Sequence, residues 1–315
     1  SLRVRNEVLR LAKNNEVDIV EVPDWNAEGL WLTLRPFVPV VVTLHGPRFF
    51  FNKVSGLPRT LGALAAEYLE KQAILRATAI VSPSFELRRA ISREYGLPSM
   101  EDRIIVIPNP MDTVFFKPDV VDDKQVLDQI LTVTYVGRLE LRKGVHVLAT
   151  AIPEIKKAYP QVRFRFIGSD TPTAPGGGSM KAYISSQLRS CMDTVEFTGP
   201  LPHHAIPGQY ASSAVVVLPS LEENLAYTCA EAMACGACVV ASRVGGFGDL
   251  IDDGETGYLV PPGDAKALTQ TVVHLLAHPN ERQGVGKNAR TAVLECMSVE
   301  RVTAQRLALY AEVLA

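Results

Sequence analysis

Two carboxylates eight positions apart, Glu223 and Glu231, lie in PSLEENLAYTCAEAMACG (219–236), where a polar stretch gives way to an apolar one. Such a switch marks a helix entrance. Glu222 and Glu223 stand before the entrance, where the ordinary use of an acid is to cap a helix. Glu231 has no such use. With a helix starting near Ala226 it sits inside the helix, among Ala, Cys and Met. A buried charge there costs on the order of several kcal/mol unless donors reach it. Sugar or ribose hydroxyls are suitable donors, and so is a structural Arg or Lys. The backbone N–H groups of Leu225, Ala226, Tyr227 and Thr228 are first-turn donors without intrahelical partners, so the entrance can also hold an anion.

A second group is GRLELRKG (137–144). A strand ends at Gly137, a loop follows, and a helix begins near Lys143. Arg138 and Lys143 flank the loop. Arg grips a phosphate through two parallel N–H donors, and Lys adds a point charge. The plainer reading is two solvated cations in a surface loop. A third candidate is His45, which ends the strand VVVTLHG and is expected to face Arg138 and Glu223 across an interdomain cleft; a lone His after a strand is also an ordinary structural residue. Together these groups describe binding of a diphosphate leaving group without metal. Arg138, Lys143 and a helix N-terminus take up developing negative charge, while Glu223 and Glu231 hold hydroxyls.

Positioning these residues requires strands that end in one row. The β-branched runs 39–46, 78–82, 103–109, 131–137, 162–168, 194–199, 214–219, 238–242 and 257–261 read as buried parallel strands, as does 17–23. Helical periods fall between them, at 2–14, 27–35, 61–77, 84–96, 143–159, 180–190, 204–210 and 226–235. Three more close the chain near 264–277, 279–295 and 298–314. Strand–helix alternation in two blocks gives an α/β fold of two Rossmann-like domains with parallel sheets and right-handed crossovers. Ligands of such sheets sit beyond the carboxyl ends of the strands, which directs attention to Gly46, Gly137, Gly168, Gly199 and Pro219. Residues 108–125, rich in Pro and acids, read as the interdomain linker. The expected domains are 1–117 with the C-terminal helix 298–315, and 118–297.

The chain has 315 residues, 47% hydrophobic and 21% charged, with a net charge of −2. Two domains with ample core fit these totals. No basic excess exists to neutralise nucleic-acid phosphates. Residues 1–118 carry 15 Lys/Arg against 13 Asp/Glu, and residues 119–315 carry 17 against 21; the first-half surplus allows weak peripheral contact with an anionic membrane. Five cysteines in no disulfide framework, no secretory signal and no membrane-length apolar run lead us to expect a cytoplasmic protein, at most at the inner membrane face. Cys235 and Cys238 form a C-x-x-C with no second pair and no nearby His. VGGFGD (244–249) is not a dinucleotide fingerprint. No D-x-D triplet exists to hold a metal-bridged diphosphate, so no metal and no cofactor is expected.

With these residues in view, the chain resembles the retaining glycosyltransferases of the GT-B fold, group 1, family 4 type. The landmarks run in order along essentially the whole chain: TLHGP, IVSPS, VIPNPMD, YVGRLELRKG, FIGSD, FTGPLP, PSLEENLAYTCAEAMACG, VVASRVGG and GETGYLVPPGD. The resemblance implies a hexosyl transfer from a nucleotide-diphosphate sugar (UDP-, GDP- or ADP-) to a carbohydrate, lipid-linked or small-molecule acceptor. It implies that Gly137, Arg138 and Lys143 contact the diphosphate. Glu223, first of the E-x7-E pair, would hold a hydroxyl of the hexose, and Glu231 the ribose hydroxyls. The amides of Asn224, Leu225, Ala226 and Tyr227 would approach phosphate and sugar, Gly168 and Gly199 would open loops near the nucleotide, and His45 would reach the sugar. Front-face transfer through an oxocarbenium-like ion pair is implied as well. Two residues depart from the pattern: Ala226 stands where Gly or Pro is common, and Cys238 where Pro is common. The usual opening strand and Gly-rich loop are absent, so the N-terminal domain is expected to be incomplete. The rival readings are a non-catalytic nucleotide-sugar-binding fragment and a sugar-nucleotide epimerase or phosphorylase.

Overall fold

Valine is the commonest strand residue, as suits parallel strands covered on both faces. The computed structural model describes residues 2–49, 60–96, 99–118, 131–223 and 226–315. The chain divides into two compact units, one of residues 1–110 with 300–315 and one of residues 111–299.

The first unit holds a parallel sheet in the order β1-β2-β3-β4, with β1 Val20–Pro23, β2 Val40–Thr43, β3 Ala79–Ser82 and β4 Ile104–Val106. Every residue of β2 and β3 is buried. The strand period of two sorts these side chains onto opposite faces. Val40, Val42, Ile80 and Ile104 join Ile74, Leu87 and Ile91 on one side. Val41, Ala79, Val81 and Ile107 meet Val302 and Leu309 of the helix Val299–Leu314 on the other. That helix is also held by polar contacts. The Arg306 Nη1 donates to Glu21 Oε1 at 2.8 Å and to Thr43 Oγ1 at 3.0 Å, and the Tyr310 hydroxyl donates to Glu21. Local signals set the helix limits. Ser84 accepts from the Leu87 N–H at 3.1 Å, and Gly96, at φ +64°, closes the helix Phe85–Tyr95 in the left-handed conformation.

Asp24 follows β1 and is 1% exposed. Its carboxylate accepts the backbone N–H groups of His45 at 3.1 Å and Gly46 at 3.2 Å, fixing the turn after β2. Burial raises its pKa to about 6, with the two N–H donors opposing. A carboxyl raised in the folded state contributes stability that is fully present below its unfolded value and lost as pH climbs through the folded one. The rise to about 6 corresponds to about 3 kcal/mol. Thermal midpoints of wild type and Asp24→Asn, measured from pH 4 to pH 7.5, are therefore expected to diverge, with the wild type losing ground as pH rises. Parallel profiles would refute this burden on Asp24.

The second unit holds six parallel strands: β5 Thr132–Val136, β6 Arg163–Ile167, β7 Val195–Gly199, β8 Val215–Leu218, β9 Val239–Ser242 and β10 Tyr258–Val260. Their order is β10-β9-β8-β5-β6-β7. The chain builds outward from β5 through β6 and β7, then returns to the opposite flank of β5 to place β8. The reversal puts a topological switch point between β5 and β8. Helices Val145–Ala158 and Ala265–Ala277 cover one face through Val145, Leu148, Ile152, Leu268 and Val272. Helices Tyr227–Ala234 and Pro279–Met297 cover the other through Ala230, Met233, Ala289 and Val293. Within the segment read as linker, Met111 and Phe116 are buried in this second core, and Arg290 Nη1 donates to the Phe116 carbonyl at 3.2 Å. Their apolar side chains outweigh the neighbouring prolines. Among the described residues no helix is long and apolar enough to cross a membrane.

Candidate active site

The loop after β5 is pinned by main chain on both sides. Gly137 N–H donates to the Ile167 carbonyl at 2.9 Å and Leu139 N–H to the Ser169 carbonyl at 2.8 Å, along the loop after β6. Gly168 N–H donates to the Gly199 carbonyl at 3.0 Å, which ties in the end of β7. From below, the buried Tyr135 hydroxyl donates to the Arg138 carbonyl at 2.6 Å. On the other flank Leu221 N–H donates to the Arg142 carbonyl at 2.8 Å, and Arg142 Nη1 to the Glu222 carbonyl at 3.1 Å. Two glycines let these loops touch. A Cβ on Gly168 would lie 1.9 Å from the Gly137 carbonyl oxygen, and one on Gly144 would lie 1.7 Å from that of Pro219.

This cradle brings Lys143 and Glu223 together. Lys143 ends the short 3-10 turn Leu141–Lys143, and Gly144, at φ +64°, redirects the chain into the helix Val145–Ala158. The helix thus starts two residues later than the sequence pattern suggests, because Gly144 serves as its N-cap. The Lys143 Nζ forms an ion pair with Glu223 Oε2, and Ser220 Oγ stands 3.4 Å from the same oxygen. The Glu223 side chain is 6% exposed and that of Lys143 20%. A further close backbone approach backs the pair, since a Cβ on Gly245 would lie 1.6 Å from the Glu223 carbonyl oxygen.

Arg138 belongs to the same loop but points differently. Its Nη2 is 3.0 Å from Glu140 Oε2, and its side chain is 62% exposed. Glu140 also lies 3.5 Å from Arg142 Nε. The loop therefore carries two guanidinium groups around one acid, with Arg138 the more accessible.

Glu231 lies half-buried in the helix Tyr227–Ala234. The Tyr210 hydroxyl, itself fully buried, donates to its Oε2 at 2.9 Å. Burial pushes the carboxyl upward in pKa, while the Tyr210 hydrogen bond and the charge of His203 oppose the shift. The required donor is thus in part a tyrosine, which neither sequence alternative included. At the helix entrance Ala226 occupies the N-cap position and offers no side-chain acceptor, and Tyr227 opens the helix half-exposed. Asn224 and Leu225 lie outside the described residues. Gly199, at φ +71°, ends β7 with open space around it. His45, in the first unit, is held through its N–H by Asp24. Its imidazole titrates below the ordinary histidine range, mainly through burial and then through Arg306, with Glu21 opposing.

Several site residues escaped the sequence pattern. Arg142, Glu140 and Ser220 act within loops whose pairing depends on the sheet, and Tyr210 has no local signal. Cys235 and Cys238 are both buried, and burial raises the Cys238 thiol to about 12, as for an inert core side chain. A hollow at the opposite, amino edge of β5–β7 is bridged by the Arg165–Glu196 ion pair at 2.8 Å.

Comparison with known proteins gives a consistent result. Residues 131–278 match the family described as glycosyl transferases group 1, and residues 1–115 match glycosyltransferase family 4. The chain is 31% identical over 269 residues to the α-maltose-1-phosphate synthase of Mycolicibacterium smegmatis, covering 80% of this chain and 67% of that protein. Among solved structures, sucrose-phosphate synthase from Thermosynechococcus elongatus superposes with a TM-score of 0.77 at 26% identity, over 98% of this chain and 76% of that one. Anabaena HepE, solved with UDP-glucose, superposes with a TM-score of 0.73 at 20% identity, over 97% of this chain and 81% of that one, a likeness of fold. The α/β architecture with two parallel sheets is that of the GT-B glycosyltransferases.

Proposed function

The chain belongs to the group 1 glycosyltransferases, and from that premise we propose that it is a retaining, metal-independent enzyme moving a hexosyl group from a nucleotide-diphosphate sugar to an acceptor hydroxyl. The observation that carries the reading is the Lys143–Glu223 ion pair at the switch point between β5 and β8. An ammonium and a carboxylate meet there beside the amino ends of two helices, Val145–Ala158 and Tyr227–Ala234. That arrangement suits a substrate carrying anionic phosphate and neutral hydroxyls side by side.

In this reading the second unit binds the donor and the first serves the acceptor. Lys143, the exposed Arg138 and the main chain at Gly137 hold the diphosphate. The amides of Asn224, Leu225, Ala226 and Tyr227 approach phosphate and sugar. Glu223 accepts a hexose hydroxyl while Lys143 keeps its carboxylate oriented. Glu231, with one oxygen taken by Tyr210, offers the other to the ribose hydroxyls. Gly168 and Gly199 open the loops that flank the nucleotide. As the glycosidic bond breaks, charge grows on the diphosphate oxygen, and the fixed cations stabilise it without reorganising. Glu223 is poorly suited to be a covalent nucleophile because Lys143 engages its oxygen. Attack from the face the diphosphate leaves, with retained configuration, rests on the family resemblance. The role of His45 at the transferred sugar rests on the family resemblance.

The test uses the full chain, stripped with EDTA and offered UDP-, GDP- and ADP-sugars with a panel of hydroxyl acceptors. Transfer or slow donor hydrolysis with retained anomeric configuration, undiminished by EDTA, is expected. Loss of activity to the chelator with the fold intact by circular dichroism would overturn metal independence, and an inverted product would overturn retention. Donor binding without any transfer or hydrolysis would leave a binding protein instead. Glu223→Gln is expected to keep nucleoside-diphosphate affinity while lowering transfer by about 10²-fold or more. Equal loss of both would make Glu223 a structural residue only.

A further inference from the structure

A second cluster of chemistry-bearing side chains lies away from these loops, where the helix Ala265–Ala277 meets the helix Pro279–Met297. His274 and His278 are one helical turn apart, and Glu281 follows across the junction. One ligand atom from each lies within 4.8 Å of the other two. We propose that His274, His278 and Glu281 bind a single transition-metal dication of the zinc class, clamping the two helices together.

The contacts of His278 and Glu281 orient them for ligation. His278 Nδ1 is 2.7 Å from the His274 carbonyl oxygen. A carbonyl only accepts, so Nδ1 carries the proton and Nε2 keeps its lone pair. Metal-bound histidines are commonly fixed in this way. The Tyr258 hydroxyl from β10 donates to Glu281 Oε1, which steadies the carboxylate. His274 Nε2 lies 3.0 Å from Glu281 Oε1 and 2.9 Å from Oε2, so without metal it donates to the carboxylate, and an ion replaces that proton. Ligands at about 2.0–2.1 Å around a tetrahedral ion stand about 3.4 Å from one another, so the three ligand atoms, within 4.8 Å of one another, have at most about 1.4 Å to close. The two imidazole rings stack with centroids 4.2 Å apart.

The backbone beneath is anchored in the core. Leu275, Leu276 and Val285 are buried, and Arg282 donates to the carbonyls of Leu275 and Leu276, closing the end of the first helix. Two imidazoles and one carboxylate select zinc or copper over magnesium, which prefers oxygen ligands in octahedral geometry. No ligand of this cluster belongs to the donor-binding loops, so the ion acts on the fold.

The experiment is calorimetric titration of the EDTA-stripped, buffer-exchanged full chain with zinc chloride in the presence of excess Mg²⁺. One equivalent is expected, with a rise in the unfolding midpoint as zinc is added and an intense visible band when Co²⁺ replaces zinc. His274→Ala and His278→Ala should each weaken binding by about tenfold or more, with folding of each variant checked by its zinc-free unfolding midpoint. The exposed Cys296 is one competing ligand, and Cys296→Ser should change nothing. No zinc binding, full affinity in both folded histidine variants, or loss of binding in Cys296→Ser would each overturn the site. A histidine–carboxylate ion pair alone predicts the first of these results.

Discussion

Lys143→Ala is expected to lower transfer by about 10²- to 10³-fold, the range for removing one fixed stabiliser of developing negative charge. The same substitution acts on the fold. It leaves the Glu223 carboxylate, with its side chain 6% exposed, without its ammonium partner. Breaking one half of a buried ion pair costs up to about 3–5 kcal/mol. The two consequences separate in a double-mutant cycle. Adding Glu223→Gln to Lys143→Ala removes the stranded charge, so denaturant stability should largely return. Turnover should not return, since nothing replaces the cation. Near-normal rates in Lys143→Ala would remove Lys143 from the reaction. Failure of the second substitution to restore stability would show that the ion pair is not the source of the loss.

Gly168→Ala should be almost as damaging, for a purely steric reason. The new Cβ would meet the Gly137 carbonyl oxygen at 1.9 Å and its carbon at 2.6 Å, at a φ of +143°. Both colliding parts belong to the main chain, so no side-chain rotation relieves the clash. Either β6 ends differently or the Gly137–Gly144 loop moves, and that loop carries Arg138 and Lys143. A loss of about 3 kcal/mol or more is expected, with a matching loss of nucleoside-diphosphate affinity. Gly199→Ala is the control. Its φ of +71° is strained for alanine, yet the added Cβ meets nothing within 4 Å. Its cost should be only about 1–2 kcal/mol. Chemical denaturation and calorimetry with UDP, GDP and ADP measure both effects. Equal stability losses in the two variants would mean that backbone strain, rather than contact between the loops, dominates.

The elements were legible because their signals are local. Runs such as VVVT and VVVL can be covered only in a two-sided sheet, and β2 and β8 are buried throughout. Ser84, Ser179 and Asp264 cap helices at positions readable from their residue type. Short elements were less visible. Phe247–Leu250 and Ser99–Arg103 are helical turns too brief to show a period. The entrance at Lys143 shifted because Gly144, read as part of a helix, takes the left-handed conformation instead. Residues 108–125 read as linker from their prolines and acids, but the burial of Met111 and Phe116 was decided by the core they meet.

By itself the sequence determined the alternation of strands and helices, the family motifs, the placing of Arg138, Lys143 and Glu223 near the ends of elements, and that of Glu231 inside a helix. These follow from periods of a few residues and from the chemistry of each side chain. Only the tertiary structure decided which ends are neighbours. Lys143 and Glu223 are 80 positions apart, and they meet because β8 returns to the flank of β5. Tyr210 and Glu231 are 21 apart and meet through the packing of two helices on that sheet. Strand order is settled by the shared burial of two-sided strands and the close approach of glycine backbones, and those interactions leave no periodic trace along the chain.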